Sequence, residues 1–514
     1  MLINHLTSHA CSIDPGMPAF VQLDGTEISY PEFGNGTRRI AAGLRSLAPK
    51  DGARIGILAL NSMAYMQLML GAAWAGLVAV PLNLRWSVKE LAYAVEDSQM
   101  DVLLIDDPFL SLVPQLQAAA PRIRHYVHVG SQPTPPGMST LAALADHPPM
   151  DAAPTTPETL AAVVYTGGTT GFPKGVMHTQ QSLMASTMNT ASMGVPTRGT
   201  RYLVAAPLFH TAGFGPALAQ LLQGGTLVPL PMFRPDLVIM AATRLRVDFI
   251  GLVPTMLTML LDAPGFDAAQ FAGVKHFAYG GSPMPTATLE RVARAFPQAT
   301  LTQIYGMTEA GLPLFLLDRW HHGANAQLTA AGQAGPLYQA KIVDEKGREL
   351  PRGQKGELVF TGAGLMQGYL NKPEETAKAL RDGVLYSGDA GVMDAAGVVT
   401  LLDRVKDMII SGGENVYSVE VENAVAQHPA VAQCAVVGVP HATYGEGVHA
   451  VIVLKPGQTV TLEALRAHCA NSIAGYKCPS SLELRDAMPL SAMGKILKAD
   501  LRAPHWAGQA RQVN

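Results

Sequence analysis

A glycine- and threonine-rich segment with one lysine is the strongest chemical signal in the sequence. Residues 166–175 read TGGTTGFPKG and follow the apolar run LAAVVY. Glycines let backbone N–H groups turn toward anionic oxygens, the threonines add hydroxyl donors and Lys174 adds a mobile cation. The common ATPase loop needs Gly before the lysine and Ser or Thr after it, whereas Pro173 and Gly175 stand here. We predict a polyphosphate-binding loop of a different kind; the alternative is a flexible surface hairpin.

Four further motifs follow this loop in order. They read IYGMTEAG at 304–311, YSGD at 386–389, DRVKDMIISGGENVY at 403–417 and PLSAMGK at 489–495. Together the five motifs resemble the AMP-forming acyl-CoA synthetase family of adenylate-forming enzymes, over nearly the whole chain. The resemblance implies an ATP-dependent acid:CoA ligase. Such an enzyme first forms acyl-AMP and pyrophosphate, and then transfers the acyl group to the thiol of CoA.

The resemblance assigns most motif residues to ATP. Glu309, next to Thr308, is implied as a Mg²⁺ ligand, because a carboxylate beside a triphosphate needs a cation between them. Lys495 is implied as the catalytic lysine that stabilises charge on the α-phosphate. Asp389 and Arg404 are expected at the ribose; outside this register they would be an ordinary surface ion pair. The other residues assigned to ATP are Thr166, Gly167, Gly168, Thr169, Thr170, Gly171 and Lys174 for the phosphates, and Gly280, Gly281, Ser282, Tyr305, Gly306 and Met307 near adenine.

The segment PLFHTAGF contains the candidate residues for acyl binding. His210 falls where the family has a gate between the acyl pocket and the pantetheine tunnel; the alternative is an ordinary packing histidine. Amino acid substrates are disfavoured because residues 209–212 contain no aspartate, and dicarboxylates because Gln303 and Ile304 offer no cation. We expect a monocarboxylic acid with an apolar body, either a medium-chain fatty acid or an aryl acid. The pocket is expected to be lined by His210, Ala212, Ile304, Gly306, Gly311 and Leu312.

The C-terminal motifs imply a domain that moves between the two half-reactions. Lys406 matches the family's hinge position, and rotation about it would withdraw Lys495 and bring the SGGEN segment toward the acyl-adenylate. The domain limits implied are 1–403 for the N-terminal domain that binds ATP and the acid, 404–406 for the hinge and 407–514 for the mobile domain. The residues implied near CoA are Gly412, Gly413, Tyr444 and Lys477.

The elements that must position these residues follow an α/β pattern. Short apolar runs such as RIGILAL, DVLLID, YLVAAPL and VDFIGLVP alternate with helix-like segments, which predicts mainly parallel sheets in a large N-terminal domain of several subdomains. The apolar stretch 64–82 is interpreted as a buried helix that runs into a buried strand, and the Pro-rich stretch 120–157 as a surface linker. After about residue 404, a helix-then-strand pattern predicts a small α+β domain.

Composition and charge fit a large enzyme that acts on small molecules. The chain has 514 residues, of which 48% are hydrophobic, so it can bury more than one core. A net charge of −3 without a basic run argues against a nucleic-acid partner. The four cysteines show no CxxC pair or metal-ligand spacing, and no secretory signal is visible, so we expect a cytoplasmic enzyme without an integral membrane span.

Two alternative functions were weighed against this one. TGAGLMQG at 361–368 resembles a dinucleotide turn and would indicate an oxidoreductase, but Tyr369, Asn371 and Pro373 predict an extended loop where that turn needs a helix. The second alternative is an acyl-AMP ligase that loads a separate carrier protein. The family also implies a homodimer, and the Pro-x4-Gly-Lys spacing of PLSAMGK resembles an acetylation site, which makes a lysine acetyltransferase an expected partner at Lys495.

Overall fold

The structure is a computed structural model of the protein. It describes residues 2–13, 16–166, 173–194, 198–322, 326–404, 407–412, 414–491 and 494–507. Within these ranges the chain forms four β-sheets, of which three belong to the part before residue 405 and the fourth to the part after it. Residues with a role predicted above that lie outside the described ranges are Gly167, Gly168, Thr169, Thr170, Gly171, Lys406 and Gly413.

The first sheet is parallel at its centre and antiparallel at both edges. Its central strands are buried on both faces, as is usual for parallel strands: Tyr202 and Val204 face one apolar core, and Leu203 between them faces another. The runs YLVAAPL and VDFIGLVP form strands here, as predicted. Across the sheet the strands are Gln333–Ala334, Gly311–Leu316, Thr300–Met307, His276–Gly280, Phe249–Leu252, Arg201–Val204, Thr226–Pro229, Pro18–Val21 and Glu27–Ser29.

The second sheet is parallel except at the edge that carries the glycine-rich loop. The stretch 64–82 forms the helix Met63–Trp74 and the strand Val78–Pro81, as predicted. The prediction of a linker over 120–157 is wrong in part, because the apolar residues of RHYVHV pair with the strand Val102–Ile105 and extend the sheet. The strands are Gly368–Tyr369, Lys174–Thr179, Leu160–Thr166, Val78–Pro81, Arg54–Leu58, Val102–Ile105, His125–His128 and Ser139–Thr140.

The third sheet is antiparallel, and the fourth builds the C-terminal region. In the third sheet Asp389 and Arg404 are opposite one another on paired strands. Its strands are Tyr338–Val343, Lys355–Gly362, Val384–Met393, Leu380–Arg381 and Val399–Arg404. The strands of the fourth are Glu414–Val416, Ile409–Ser411, Gly445–Leu454, Val431–His441 and Ser481–Leu484. The chain thus changes sheets after Arg404, while the domain limits 1–403, 404–406 and 407–514 stay a prediction.

Helices cover the sheets on both faces. Several begin at a capping serine whose hydroxyl accepts from the backbone three residues on, as at Ser29 with Glu32 and Ser87 with Glu90. No described helix has the length and apolarity needed to cross a membrane. The α-helices are His5–Ser12, Tyr30–Leu47, Met63–Trp74, Val88–Ser98, Val113–Ala119, Leu141–Ala145, Gln180–Ser192, Thr211–Leu222, Pro235–Arg244, Pro254–Leu261, Thr286–Ala295, Pro373–Ala379, Ser418–Ala426, Leu462–Cys469 and Lys498–Trp506.

A buried asparagine connects the first two sheets. Asn61 follows the strand Arg54–Leu58 of the second sheet, and its side chain lies against the loop after the strand Arg201–Val204 of the first. Its Oδ1 accepts from the Leu208 backbone N–H at 2.7 Å, and its Nδ2 donates to the Ala206 carbonyl at 3.0 Å. Asn61 therefore holds the loop that leads to residue 210.

We expect Asn61→Ala to lower the free energy of unfolding by about 2–3 kcal/mol, because it leaves a buried N–H and a buried carbonyl without partners. The measurement is denaturant unfolding followed by circular dichroism. The matched control is Asn35→Ala on the exposed side of the helix Tyr30–Leu47, which should change stability by less than about 0.5 kcal/mol. Equal effects of the two substitutions would show that Asn61 does not connect the sheets.

Candidate active site

A cavity lies at the carboxyl ends of the central strands of the first sheet; together with the solvent space at its mouth it encloses about 660 Å³. This edge is where open α/β sheets usually bind ligands, because the loops that leave parallel strands meet there. Backbone from the strands Phe249–Leu252, His276–Gly280 and Thr300–Met307 contributes to its wall. The predicted residues that line it are His210, Ala212, Gly280, Gly281, Ile304, Gly306, Met307, Thr308, Leu312 and Lys495.

Two glycines allow the backbone to approach closely at the cavity wall. A Cβ atom at Gly280 would lie 2.0 Å from the carbonyl oxygen of Ile304, and one at Gly306 would lie 2.4 Å from that of Gly311. These contacts are to backbone, which cannot move aside as a flexible side chain would. Gly280 and Gly306 are therefore required by packing, whatever they contact in a ligand.

Lys495 reaches into the cavity from the C-terminal region. Its Cε lies 3.8 Å from the position of a Cβ atom on Gly281. The loop before Lys495 contacts the N-terminal region, because Arg85 donates to the Ser491 carbonyl at 2.9 Å. Burial lowers the pKa of Lys495 from 10.5 to about 8; the charge of Arg404 acts in the same direction, and the nearby carboxylates oppose it. The lysine is thus mostly protonated at neutral pH, although the residue is half-buried.

His210 lies at the start of the helix Thr211–Leu222 and also lines the cavity. Burial, with the charge of Lys495 acting in the same direction, lowers the pKa of His210 to about 3. The ring is therefore neutral at physiological pH. In the described part of the chain, its buried Nδ1 atom has no hydrogen-bond partner. Both the gating role and the packing role of His210 therefore stay predictions.

Asp389 is buried and holds two partners. Its Oδ2 accepts from the Tyr305 hydroxyl at 2.5 Å, and its Oδ1 is 2.6 Å from Nε of Arg404. Burial, followed by the charge of Asp389, raises the pKa of Tyr305, so this phenol stays a donor. The three residues predicted to contact the adenosine are therefore assembled into one cluster, in which carboxylate oxygens keep further lone pairs for hydroxyl donors.

Glu309 is linked to the base of the glycine-rich loop through a residue that sequence analysis missed. Tyr369 donates its hydroxyl to Glu309 Oε1 at 2.8 Å, and the ammonium of Lys174 lies 4.8 Å from the centre of the Tyr369 ring. Lys174 also pairs with Glu375 at 2.5 Å. Tyr369 and Glu375 had no recognisable signal, because each lies about 200 residues from Lys174 in the chain. Thr166 and Lys174 are the described ends of the loop.

A buried histidine fixes the backbone at Thr308. His178 donates from Nε2 to the Thr308 carbonyl at 2.8 Å, and its Nδ1 is 3.3 Å from the Ser182 hydroxyl. Burial lowers the pKa of His178 to about 4, so the ring is neutral and this tautomer is set by its neighbours. The Thr308 and Glu309 side chains offer the oxygen donors that Mg²⁺ prefers, so these residues fit a magnesium site.

Several predicted residues lie away from the cavity. Gly311 lines a smaller neighbouring cavity, and Ser282 is not among the described residues that line either one. Tyr444 is exposed and stacks on His441, with its carbonyl accepting from the Gly412 N–H at 2.9 Å. Lys477 pairs with Glu420 at 2.6 Å. The residues expected near CoA are therefore on the C-terminal region, outside the cavity.

The segment that resembles a dinucleotide turn has a different structure. Residues 361–368 lead from the strand Lys355–Gly362 directly into the strand Gly368–Tyr369, and the helix Pro373–Ala379 begins only after a further turn. A dinucleotide turn opens directly into a helix. The prediction that Pro373 belongs to an extended loop is wrong, since proline starts this helix, but the oxidoreductase alternative finds no support here.

Comparison with known proteins agrees with the geometry. Residues 8–370 match the family model of the AMP-binding enzyme, and residues 420–495 match that of the AMP-binding enzyme C-terminal domain. The chain belongs to the AMP-binding, adenylate-forming enzymes. It is an AMP-forming acid–thiol ligase of the acyl-CoA synthetase family. The predicted family and fold class, a large α/β domain of mainly parallel sheets with a small C-terminal domain, are confirmed.

Individual relatives of this ligase differ in what their names state. The fatty acid–acyl-carrier-protein ligase ScoC of Streptomyces coeruleorubidus is 35% identical over 99% of this chain and 97% of its own. A feruloyl-CoA synthase of Amycolatopsis sp is 37% identical over 94% of this chain and 95% of its own. The crystal structure of ATP-bound MatB from Rhodopseudomonas palustris has a TM-score of 0.89 at 30% identity, covering 98% of this chain and 99% of that one.

We expect the adenylation half-reaction of this ligase to lose activity as the pH rises through about 8, where Lys495 loses its proton. The sign follows from the lowered pKa: the charged form prevails below this value and the neutral form above it. The measurement is kcat/KM for acid-dependent pyrophosphate release from pH 6 to 10, without CoA, so that the CoA thiol does not titrate.

The matched variant is Lys495→Arg, whose guanidinium stays charged over this range and should remove the decline near pH 8 even if its rate is lower. Lys495→Ala gives the baseline without a charge. The same decline in the arginine variant would assign the titration to another group.

Proposed function

We propose that the protein makes acyl-CoA from a monocarboxylic acid with an apolar body, ATP and CoA. One observation carries the proposal: the Lys495 side chain lines a cavity with apolar walls, where its charge interacts with Asp389 and Arg404 of the cluster that they form with Tyr305. Such a site can bring together an acid, whose carboxylate meets the lysine, and a nucleotide, whose sugar meets the cluster. A medium-chain fatty acid and an aryl acid both fit this description.

The first half-reaction joins two anions. The substrate carboxylate oxygen bonds to the α-phosphorus of ATP as the bond to pyrophosphate breaks, and negative charge grows on the phosphoryl oxygens. Lys495 supplies a cation there, and its position in a low-dielectric site strengthens the interaction. Thr166, Lys174 and the loop between them would hold the β- and γ-phosphates. Glu309, with Thr308, would hold Mg²⁺, which neutralises charge on the leaving group when bound.

The acid is proposed from the cavity wall. Of the described residues that line it, Lys495 alone carries a charge at neutral pH, so the wall offers no second cation for a dicarboxylate and no carboxylate for an amino group. Tyr202 and Phe249 stack with their ring centres 4.3 Å apart on one side. Aromatic and aliphatic surface of this kind gains free energy by covering an apolar chain or ring.

The second half-reaction transfers the acyl group to a thiol. The thiol sulfur bonds to the acyl carbon of acyl-AMP, and AMP leaves with the bonding electrons. CoA is the proposed acceptor because the chain is a member of a family of acyl-CoA synthetases. Gly412, Tyr444 and Lys477 remain the proposed CoA contacts; they lie on the C-terminal region and would reach the cavity only after it rotates about Lys406.

A carrier protein is the second candidate acceptor, and the similarity to the carrier-protein ligase ScoC over 99% of the chain favours it. Both acceptors present a phosphopantetheine thiol, so the adenylation site does not distinguish them. The C-terminal region, which carries the proposed CoA contacts, would distinguish them. Acetylation of Lys495 would stop adenylation with either acceptor, because it removes the charge of the ammonium.

Pyrophosphate release from Mg-ATP across a panel of acids, with and without CoA, tests the proposal. We expect acid-dependent release with medium-chain and aryl acids, little with dicarboxylates or amino acids, and a CoA thioester with AMP detected by mass. Acyl-AMP that accumulates with CoA but is consumed by a carrier protein would establish the second candidate. Turnover with dicarboxylates alone would contradict the proposed acid.

Ala212→Leu tests the position of the acyl group. Ala212 is partly buried at the cavity wall, so a larger side chain there should raise KM for medium-chain and aryl acids by roughly tenfold, since about 1–3 kcal/mol depends on such a fit. The activity toward acetate, measured in the same variant, is the control and should change little. An equal loss with acetate and with longer acids would place the acyl group elsewhere.

A further inference from the structure

A cluster of two histidines and a glutamate lies in the C-terminal region, apart from the adenylation cavity. His449, Glu483 and His505 come from three elements: the strand Gly445–Leu454, the strand Ser481–Leu484 and the helix Lys498–Trp506. Nε2 of His449 is 3.5 Å and Nε2 of His505 is 3.7 Å from Glu483 Oε2. One nitrogen or oxygen of each residue lies within 4.8 Å of the others.

The Nε2 atoms of the two histidines are buried, and among the described residues the Glu483 carboxylate lies at ion-pair distance from both. His449 is only 5% exposed, so its ring is shielded from bulk solvent. Buried nitrogens of this kind need a proton donor, an acceptor or a cation. Their shared neighbour is a carboxylate oxygen, which attracts a cation most strongly.

We propose that His449, Glu483 and His505 bind one Zn²⁺. The donor set of two imidazoles and one carboxylate is among those that zinc accepts. Two ligand atoms about 2.0–2.1 Å from one tetrahedral ion are about 3.4 Å apart, close to both distances to Glu483 Oε2. The fourth position is left to water, because His505 and Glu483 are partly exposed.

Groups behind the ligands orient them. The Ser481 hydroxyl is 2.7 Å from Nδ1 of His449, and as an acceptor it fixes the proton on Nδ1 and leaves the Nε2 lone pair for the ion. Arg485 donates to Glu483 Oε1 at 2.5 Å, which leaves Oε2 toward the histidines. Register brings these residues together: His449 pairs with Ser481 in a parallel ladder, and Glu483, two residues on, shares its face.

The ion would fasten the last helix to the sheet. Leu501 packs in an apolar cluster with Val437, and Trp506 donates to the Gly438 carbonyl at 3.0 Å, so the helix is already docked on the neighbouring strand. Zinc would add a link at its end. Because this helix follows the segment that carries Lys495, the link stabilises the C-terminal region without entering the reaction.

Zinc binding to the full chain, purified without a histidine tag and freed of metal by a chelator, tests the site. Competition against a chromogenic zinc chelator should show a site in the wild type that weakens roughly 100-fold in His505→Gln and in Glu483→Gln. Ser481→Ala should weaken it about tenfold. The matched control is His468→Gln. His468 pairs with His428, and their rings are 5.1 Å apart, but this pair does not belong to the cluster proposed to bind zinc.

A thermal melt gives a second readout. Zinc should raise Tm of the wild type and of His468→Gln but not of His505→Gln, since a ligand stabilises only a fold that binds it. His505 is partly exposed, so its substitution tests the site even where His449→Gln fails to fold. Equal zinc affinity and equal Tm shifts in the wild type and in His505→Gln would overturn the proposal. Both readouts are independent of acyl transfer.

Discussion

The buried charge of Lys495 is the constraint on which the rest of the active site depends. An ammonium taken out of water is unfavourable, as its lowered pKa shows, and it is held there only while the loop before it stays on the N-terminal region. Arg85 bonds to that loop, and Gly494 adopts a left-handed backbone conformation with φ of +73° next to Thr255. In the proposed reaction, the contact that holds the C-terminal region against the N-terminal region is therefore also the one that brings Lys495 to the cavity.

Two tyrosines organise the acidic side of the site in the same way. Tyr305 donates to Asp389, and Tyr369 donates to Glu309, so each carboxylate has one oxygen bound by a phenol. A basic residue then accompanies each pair, Arg404 in the first case and Lys174 in the second. Carboxylates held in this manner do not need to reorganise when a ligand arrives, and such preorganisation is a main source of catalytic electrostatics.

The sequence predicted the parts of the site that lie within motifs. Lys495, Asp389, Arg404 and the glycines at the cavity wall could be named because their neighbours in the chain are distinctive, and their roles stay predictions. Tyr369 was missed as a partner of Glu309, since that contact joins residues 60 positions apart.

The same reason explains the other misses. His178 touches Thr308 across 130 positions, and Asn61 touches the loop before residue 210 across 147. The prediction of alternating strands and helices was correct for the large sheets, because buried parallel strands are visible in the sequence as continuous apolar runs. It failed in the Pro-rich stretch, where the short strand His125–His128 forms only because Val102–Ile105 offers it an edge. The sequence does not identify the substrate acid, because apolar cavity walls accept many shapes.

The ion pair between Lys174 and Glu375 has a consequence for selectivity. The Lys174 ammonium has an anionic partner within the protein at 2.5 Å. Any ligand that uses this lysine must first compete with a tethered carboxylate, whose local concentration exceeds that of a free solute. A ligand with several negative charges would compete with this carboxylate better than one with a single charge. Glu375 is thus an anion of the protein itself that a ligand of Lys174 has to displace.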